Sequence, residues 1–200
     1  MTPQQAKAEW RTKIRERLNK LSAAERAAGA SLICQRVREQ DFWKTAKTVL
    51  LFAPMPDEVN IWPLLEQALA EGKILSLPRY DPIKKIYAAA QVNDLELDLV
   101  TAVFEIQEPA AHCCEIPLAN IDLALIPGVG FDLSGNRLGR GKGFYDRLLV
   151  GFGGVKCGVA LDEQIMETFA TEDHDVRMDV VLTPAKMIKP PFAGKELKLA

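Results

Sequence analysis

Between residues 137 and 147 the chain reads Arg-Leu-Gly-Arg-Gly-Lys-Gly-Phe-Tyr-Asp-Arg, so that Gly139, Gly141 and Gly143 alternate with Arg140 and Lys142. Glycine lets a backbone approach phosphate oxygens closely, and successive amides ahead of a helix supply partial positive charge. Arg140 adds a planar fork of donors and Lys142 a point charge. Such a loop suits a phosphorylated ligand. Its glycine spacing matches neither the Walker loop nor the dinucleotide fingerprint, and a solvated turn accounts for the same residues. Asp146 poses a similar choice: an acidic residue in a first helical turn complements the dipole, while one carboxylate beside phosphates is how magnesium is usually held.

Other candidate residues lie far away in sequence. Lys7 and Arg11 are four apart on an expected helix, next to the apolar stripe Ala6, Trp10, Ile14 and Leu18. A solvated basic face is the plain reading of that pair. Asp57 and Glu58 come after the first expected strand, where they are either turn residues or acceptors for a ligand. His112-Cys113-Cys114 invites a metal, but adjacent cysteines make poor joint ligands and a His–Cys pair lacks further partners. The segment is assigned no role.

These residues need elements to hold them. Thr2, Pro3 and Gln5 form a helix-start signature with a capping box, and Ser22 with Glu25 forms a second, opening a helix to about residue 38. Two helices are therefore expected before the first strand, residues 48–52, a short apolar run bounded by polar and proline signals. A helix capped by Asn60 and stopped at Gly72 precedes a strand over 73–77 that ends at Pro78. Residues 83–117 mix short strands and turns. Further strands are expected at 123–127, 155–160 and 180–183, with helices over about 143–150 and 163–169. Strands alternating with helices predict an α/β fold: a mostly parallel central sheet with helices on both faces, in one domain spanning residues 1–200. Ligands of such sheets bind outside the carboxyl ends of the strands, which directs attention to the loops after Phe52 and Pro127.

Composition narrows the function. A hydrophobic content of 48% with 26% charged residues excludes a disordered or collagen-like chain, and no apolar run reaches the roughly 18 residues of a membrane span. The start of the chain has no signal-peptide core, so a cytoplasmic protein is expected. Net charge is only −2, yet cations cluster in residues 1–20 and 137–147. That distribution fits a small polyanion better than a nucleic acid, whose single strands need exposed stacking aromatics that a 7% aromatic content hardly provides. The four cysteines show no zinc-like spacing and are expected to be reduced.

The run Asn136-Arg-Leu-Gly-Arg-Gly-Lys-Gly-Phe-Tyr-Asp146 resembles the signature of the 5-formyltetrahydrofolate cyclo-ligase family, also called 5,10-methenyltetrahydrofolate synthetases. The likeness extends to Ala6-Lys7 with Arg11, to Asp57-Glu58, to Leu77-Pro78-Arg79-Tyr80 and to Asp175-Val176-Arg177-Met178-Asp179. It implies an enzyme that uses ATP and magnesium to close 5-formyltetrahydrofolate into 5,10-methenyltetrahydrofolate. By that resemblance Lys7, Arg11, Arg137, Leu138, Gly139, Arg140, Gly141, Lys142, Gly143, Phe144 and Tyr145 surround the nucleotide, with Arg140, Lys142 and Tyr145 catalytic. Ala53, Glu58, Phe104 and the stretch 140–144 meet the reduced folate, and Asp146 and Asp175 hold the metal. Its partners are then small molecules, not nucleic acid or membrane, and a monomer is expected. The alternatives are a protein of the same fold acting on another substrate, or an RNA-binding module.

Overall fold

The computed structural model describes residues 2–83, 85–102, 106–169, 171–172 and 175–191. Both capping boxes form. The Thr2 hydroxyl accepts from the Gln5 amide at 3.2 Å while the Gln5 side chain accepts from the Thr2 amide at 2.8 Å, opening α1 (Pro3–Leu18). Ser22 and Glu25 repeat the exchange ahead of α2 (Ala23–Glu39). Each box satisfies two amides that a helix start leaves without partners. A third helix, α3 (Asp41–Thr45), then carries Trp43 into the core. It lacks a capping side chain and is too short for periodicity to reveal, which corrects the expectation of two helices before the first strand.

The chain continues through β1 (Thr48–Leu50), α4 (Trp62–Ala70), β2 (Ile74–Asp81), β3 (Ile86–Val92), β4 (Leu99–Thr101), β5 (Gln107–Pro109) and β6 (Glu115–Ile116). It closes with β7 (Leu123–Ile126), β8 (Gly130–Asp132), β9 (Arg137–Leu138), α5 (Phe144–Leu148), β10 (Val155–Val159), β11 (Ile165–Met166), β12 (Val180–Leu182) and β13 (Met187–Ile188). Eight strands form the main sheet in the order β13-β12-β10-β7-β1-β2-β3-β6. Neighbours from β12 to β2 are parallel, and antiparallel strands finish both edges. The mostly parallel doubly covered sheet is therefore present.

Its strands read as unbroken apolar runs because both faces are buried. Val49, Leu123 and Leu125 pack with Ile33 of α2 and Leu64 of α4. Leu50, Ala124 and Ile126 join Leu148 and Leu149 of α5 and its adjoining turn on the other face. No helix among the described residues is long and apolar enough to cross a membrane.

Several boundaries differ from expectation. β2 runs through Pro78 to Asp81, because pairing with β1 ends at Ser76 and only β3 accompanies the strand beyond it. A proline without an amide hydrogen is tolerated where one side of a strand is unpaired. Asn60 accepts from the Trp62 amide at 3.1 Å, although Ile61 holds the cap position of α4. No helix spans 163–169: a 3-10 turn at Asp162–Gln164 leads into β11, which pairs with β8. The buried Gln164 side chain makes that choice, donating to the carbonyls of Gly128 and Val129 at 2.8 and 3.1 Å. α5 is also shorter than the expected 143–150, five residues in all.

Candidate functional site

The loop leaving the carboxyl end of β7 is not irregular throughout. Its first part is the β8–β9 hairpin, held by Asp132, a carboxylate with no solvent exposure. One oxygen accepts from the amides of Ser134 and Asn136 at 2.9 and 2.8 Å. The other accepts from the Asn136 side chain at 2.8 Å and from the Phe169 amide at 3.1 Å. Four hydrogen bonds compensate for removing a charge from water. The hairpin thus becomes a rigid mount for the glycine-basic loop.

At the base of that loop stands Arg137, whose side chain is only 5% exposed. Its Nη2 lies 3.0 Å from both carboxylate oxygens of Asp146, and its Nε is buried without a hydrogen-bond partner. A buried unpartnered donor in a native fold asks for an explanation, such as strain, a catalytic role, or a water or ion held there. Gly139 then passes so close to Arg137 that a Cβ there would sit 2.8 Å from Nη1. Gly141 takes φ +96°, a backbone region strained for any L side chain. These two requirements let the chain double back beside the guanidinium.

The other wall comes from α1. Arg11 Nε donates to the Gly139 carbonyl at 2.8 Å across 128 residues of sequence. Lys7 donates to Glu172 at 2.7 Å and to Asp175 at 2.8 Å. Lys7, Arg11, Arg137, Leu138, Gly139, Gly141, Gly143, Asp146, Glu172 and Asp175 together wall a cleft of about 430 Å³. Burial lowers the pKa of Arg11, leaving a guanidinium that is still charged at neutral pH. Burial also pulls on the Lys7 ammonium, but its bonds to Asp175 and Glu172 prevail and hold it above the ordinary lysine value. A five-residue α5 contributes little dipole, so the cations that face the cleft are side chains: Lys7, Arg11 and Arg137.

Beside this cleft stands a second group. Arg140 reaches away from the wall to the loop after β1, with Nη2 2.6 Å from Asp57 and 3.4 Å from Glu58. Burial favours protonation of Asp57, yet Arg140 outweighs it and keeps that carboxyl below its usual range. Glu58 is more deeply set: burial pushes its carboxyl up, opposed only in part by the Met55 amide and Arg140. It borders a hollow of about 420 Å³ with apolar walls from Ala27, Ala30, Leu64 and Leu161. Phe144 continues an aromatic row, 4.8 Å from Tyr87, which is 5.1 Å from Tyr80 on the adjacent strand. Lys142 is exposed with its ammonium 5.8 Å from the Phe144 ring centroid. The Tyr145 ring lies 5.3 Å from the Arg137 guanidinium, and burial raises its hydroxyl pKa.

The two basic stretches singled out in the sequence thus meet at one cleft, while Arg140, Lys142, Phe144 and Tyr145 flank it. Ala53 is buried in the core just beyond β1, and Phe104 lies outside the described residues. Glu172, Asp132 and the Tyr80–Tyr87 row were not anticipated. Asp132-Leu-Ser-Gly-Asn136 carries a recognisable turn composition. Glu172 carries no local signal, since its partner Lys7 is 165 residues distant. The four cysteines are free, with Cys114 exposed and the others buried.

A doubly wound sheet with a polar cleft across the carboxyl ends of its parallel strands defines an α/β ligand-binding protein. Comparison with known proteins narrows the class. The model of the 5-formyltetrahydrofolate cyclo-ligase family matches residues 3–184. The chain is 32% identical to the mouse 5-formyltetrahydrofolate cyclo-ligase over 201 residues, covering 91% of this chain and 95% of the mouse protein. Over 146 residues it is 34% identical to the Escherichia coli K12 protein of the same name, covering 71% and 80% of the two chains. The NMR structure of Aquifex aeolicus 5,10-methenyltetrahydrofolate synthetase superposes with a TM-score of 0.83 at 32% identity over 96% of each chain. This chain belongs to the 5-formyltetrahydrofolate cyclo-ligase family.

Proposed function

We propose that the protein uses ATP and magnesium to convert 5-formyltetrahydrofolate to 5,10-methenyltetrahydrofolate, with ADP and phosphate as the other products. The observation that carries this reading is the Arg140 ion pair. It joins the glycine loop of the cation-walled cleft to Asp57 and to Glu58, which borders the apolar hollow. Two ligands bound on either side of Arg140 would have their reacting ends next to it.

In this reading the phosphates of ATP lie against Lys7, Arg11, Arg137 and the backbone of residues 139–143. Arg137 Nε, without a partner in the protein, gains one. The cleft holds three carboxylates beside its three cations, so a triphosphate would meet repulsion unless a cation came with it. Asp146 and Asp175 are hard oxygen donors of the kind magnesium takes alongside phosphate oxygens and water. Bound there, magnesium would neutralise charge on the phosphates.

Glu58 accepts the amino group and ring N–H of the pterin side by side, and Ala53 and Phe104 complete the folate contacts. The formyl oxygen attacks the γ-phosphorus and ADP leaves. Nitrogen 10 then attacks the formyl carbon and loses its proton, and the former formyl oxygen departs with the phosphate. An amide-type oxygen is a weak nucleophile, so the contribution of the protein is alignment and charge neutralisation. Arg140 and Lys142 meet the charge developing on the transferred group, and Tyr145 holds the phosphate or the ring. No covalent protein intermediate is needed. The protein works as a monomer in the cytoplasm.

The test is spectrophotometric, with purified protein and 5-formyltetrahydrofolate. Methenyl product is expected only when both ATP and magnesium are supplied. Its absence with all three present overturns the assignment. Asp146→Asn is expected to raise the magnesium concentration for half-maximal rate, and an unchanged titration returns Asp146 to pairing Arg137.

A further inference from the structure

The His112-Cys113 pair lacked further ligands in the sequence, and the fold supplies one. Asp98, just ahead of β4, presents Oδ1 2.9 Å from His112 Nε2, and the Cys113 thiol donates to the Asp98 carbonyl at 3.5 Å. The imidazole nitrogen, the thiol sulfur and a carboxylate oxygen all lie within 4.8 Å of one another. None of the three residues walls the cleft that Asp146 and Asp175 line. We propose that Asp98, His112 and Cys113 form a separate binding site for a zinc-class divalent cation, with the fourth position left to water.

The arrangement is built without needing the metal. Asp98 Oδ2 accepts from the amides of Asn93 and Asp94 at 2.7 and 3.1 Å, which leaves Oδ1 facing His112. The Asp98 carbonyl also accepts from the Ala110 amide at 2.8 Å, tying the two turns together. Arg79 holds the second turn from below, donating to the carbonyls of Ala110 at 3.1 Å and Cys113 at 2.8 Å. Cys113 itself is buried against Ala90 and Ala110, while the His112 side chain is 64% exposed and reachable from solvent. A partly open site of this kind lets an ion enter and keep a water.

The donor set selects the ion. One thiolate, one imidazole and one carboxylate with an open position are a zinc-type set, whereas magnesium prefers oxygen alone. In a tetrahedral zinc site with metal–nitrogen and metal–oxygen distances near 2.0–2.1 Å, the nitrogen and oxygen stand about 3.3 Å apart. The 2.9 Å hydrogen bond must therefore open by only a few tenths of an ångström for both atoms to turn to one ion. Coordination releases the proton of the Cys113 thiol to solvent. Cys114 plays no part, because adjacent cysteines cannot readily point at the same ion.

Untagged protein is titrated with zinc against a chromogenic chelator, and with cobalt(II) to read the thiolate-to-metal charge-transfer band and the visible bands of a tetrahedral ion. One equivalent is expected to bind, and millimolar magnesium is expected not to displace it. Because His112 is exposed, His112→Ala should fold normally and, as loss of a direct ligand, weaken binding by more than the roughly tenfold cost of losing an outer-shell partner. Cys113→Ser should abolish the charge-transfer band, and Cys114→Ser should keep it. Failure to bind zinc against the chelator overturns the proposal. So does binding that survives His112→Ala unchanged, or a charge-transfer band lost in Cys114→Ser but kept in Cys113→Ser.

Discussion

Lys142 and Glu58 differ in how the fold treats them. Lys142 extends over Phe144 on the surface, beside the cleft and not on its wall. If it swings inward to meet a transferring phosphoryl group, Lys142→Ala should lower turnover by about 10²–10³, the usual effect of one transition-state charge donor. Steady-state kinetics decides the matter, and a wild-type rate removes Lys142 from the catalytic set. Glu58→Gln should raise the KM for 5-formyltetrahydrofolate by roughly 30–10³-fold, corresponding to about 2–4 kcal/mol for a charged hydrogen-bond partner. ATP affinity should be unchanged. If folate binding is unaffected while nucleotide still binds, the substrate belongs to another chemical class.

Glu58 also makes a pH prediction. Burial raises its carboxyl pKa in the folded protein above the usual 4.5, so between 4.5 and that higher value the native state binds more protons than the unfolded state. Stability therefore falls as pH rises through this window, because its slope depends on protons bound unfolded minus protons bound native. The native-state penalty is absent below 4.5. Denaturant melts across the interval should show that decline in the wild type and its removal in Glu58→Gln, once changes common to both are subtracted. Parallel curves for the two proteins would contradict it.

Among the elements, the β8–β9 hairpin is the one on which the site depends. It is too short to be stable by pairing alone, and its turn rests on the four hydrogen bonds of Asp132. Asp132→Asn replaces one acceptor oxygen with a donor facing other donors. The expected cost is about 2–4 kcal/mol of unfolding free energy, read from denaturant melts, from leaving buried polar groups unpaired and losing a charged acceptor. Weaker ATP binding should accompany it, since Arg137 is mounted on β9. A loss under 0.5 kcal/mol would mean that the glycine loop is held from elsewhere.

For the whole molecule, the main consequence is that α1 and the loop after β9 form one wall through the Arg11–Gly139 bond. Hydrogen exchange with and without ATP and magnesium should show added protection in the first half of α1 and in residues 137–143 together. Protection confined to one of them would separate the two basic stretches functionally. The same long-range closure involves Lys7 with Glu172 and Asp175, bringing the beginning of the chain to the segment before β12.

Local physical rules recovered much from the chain alone. Capping boxes at Thr2 and Ser22, apolar runs at β1 and β7, and the glycine-basic loop all depend on neighbours within a few residues, which is why they could be read directly. The extension of β2 past Pro78, the replacement of a helix by β11, and the pairing of Lys7 with Glu172 depend on partners distant in sequence. Arg140 shows the division most plainly. Its type and loop mark it as an anion binder, but only the approach of the β1 exit gives it Asp57 and Glu58. Sequence pattern specifies which groups are available and what backbone they can adopt; packing of the sheet and its crossovers decides which of them meet, because a contact across more than a hundred residues leaves no local periodicity to detect.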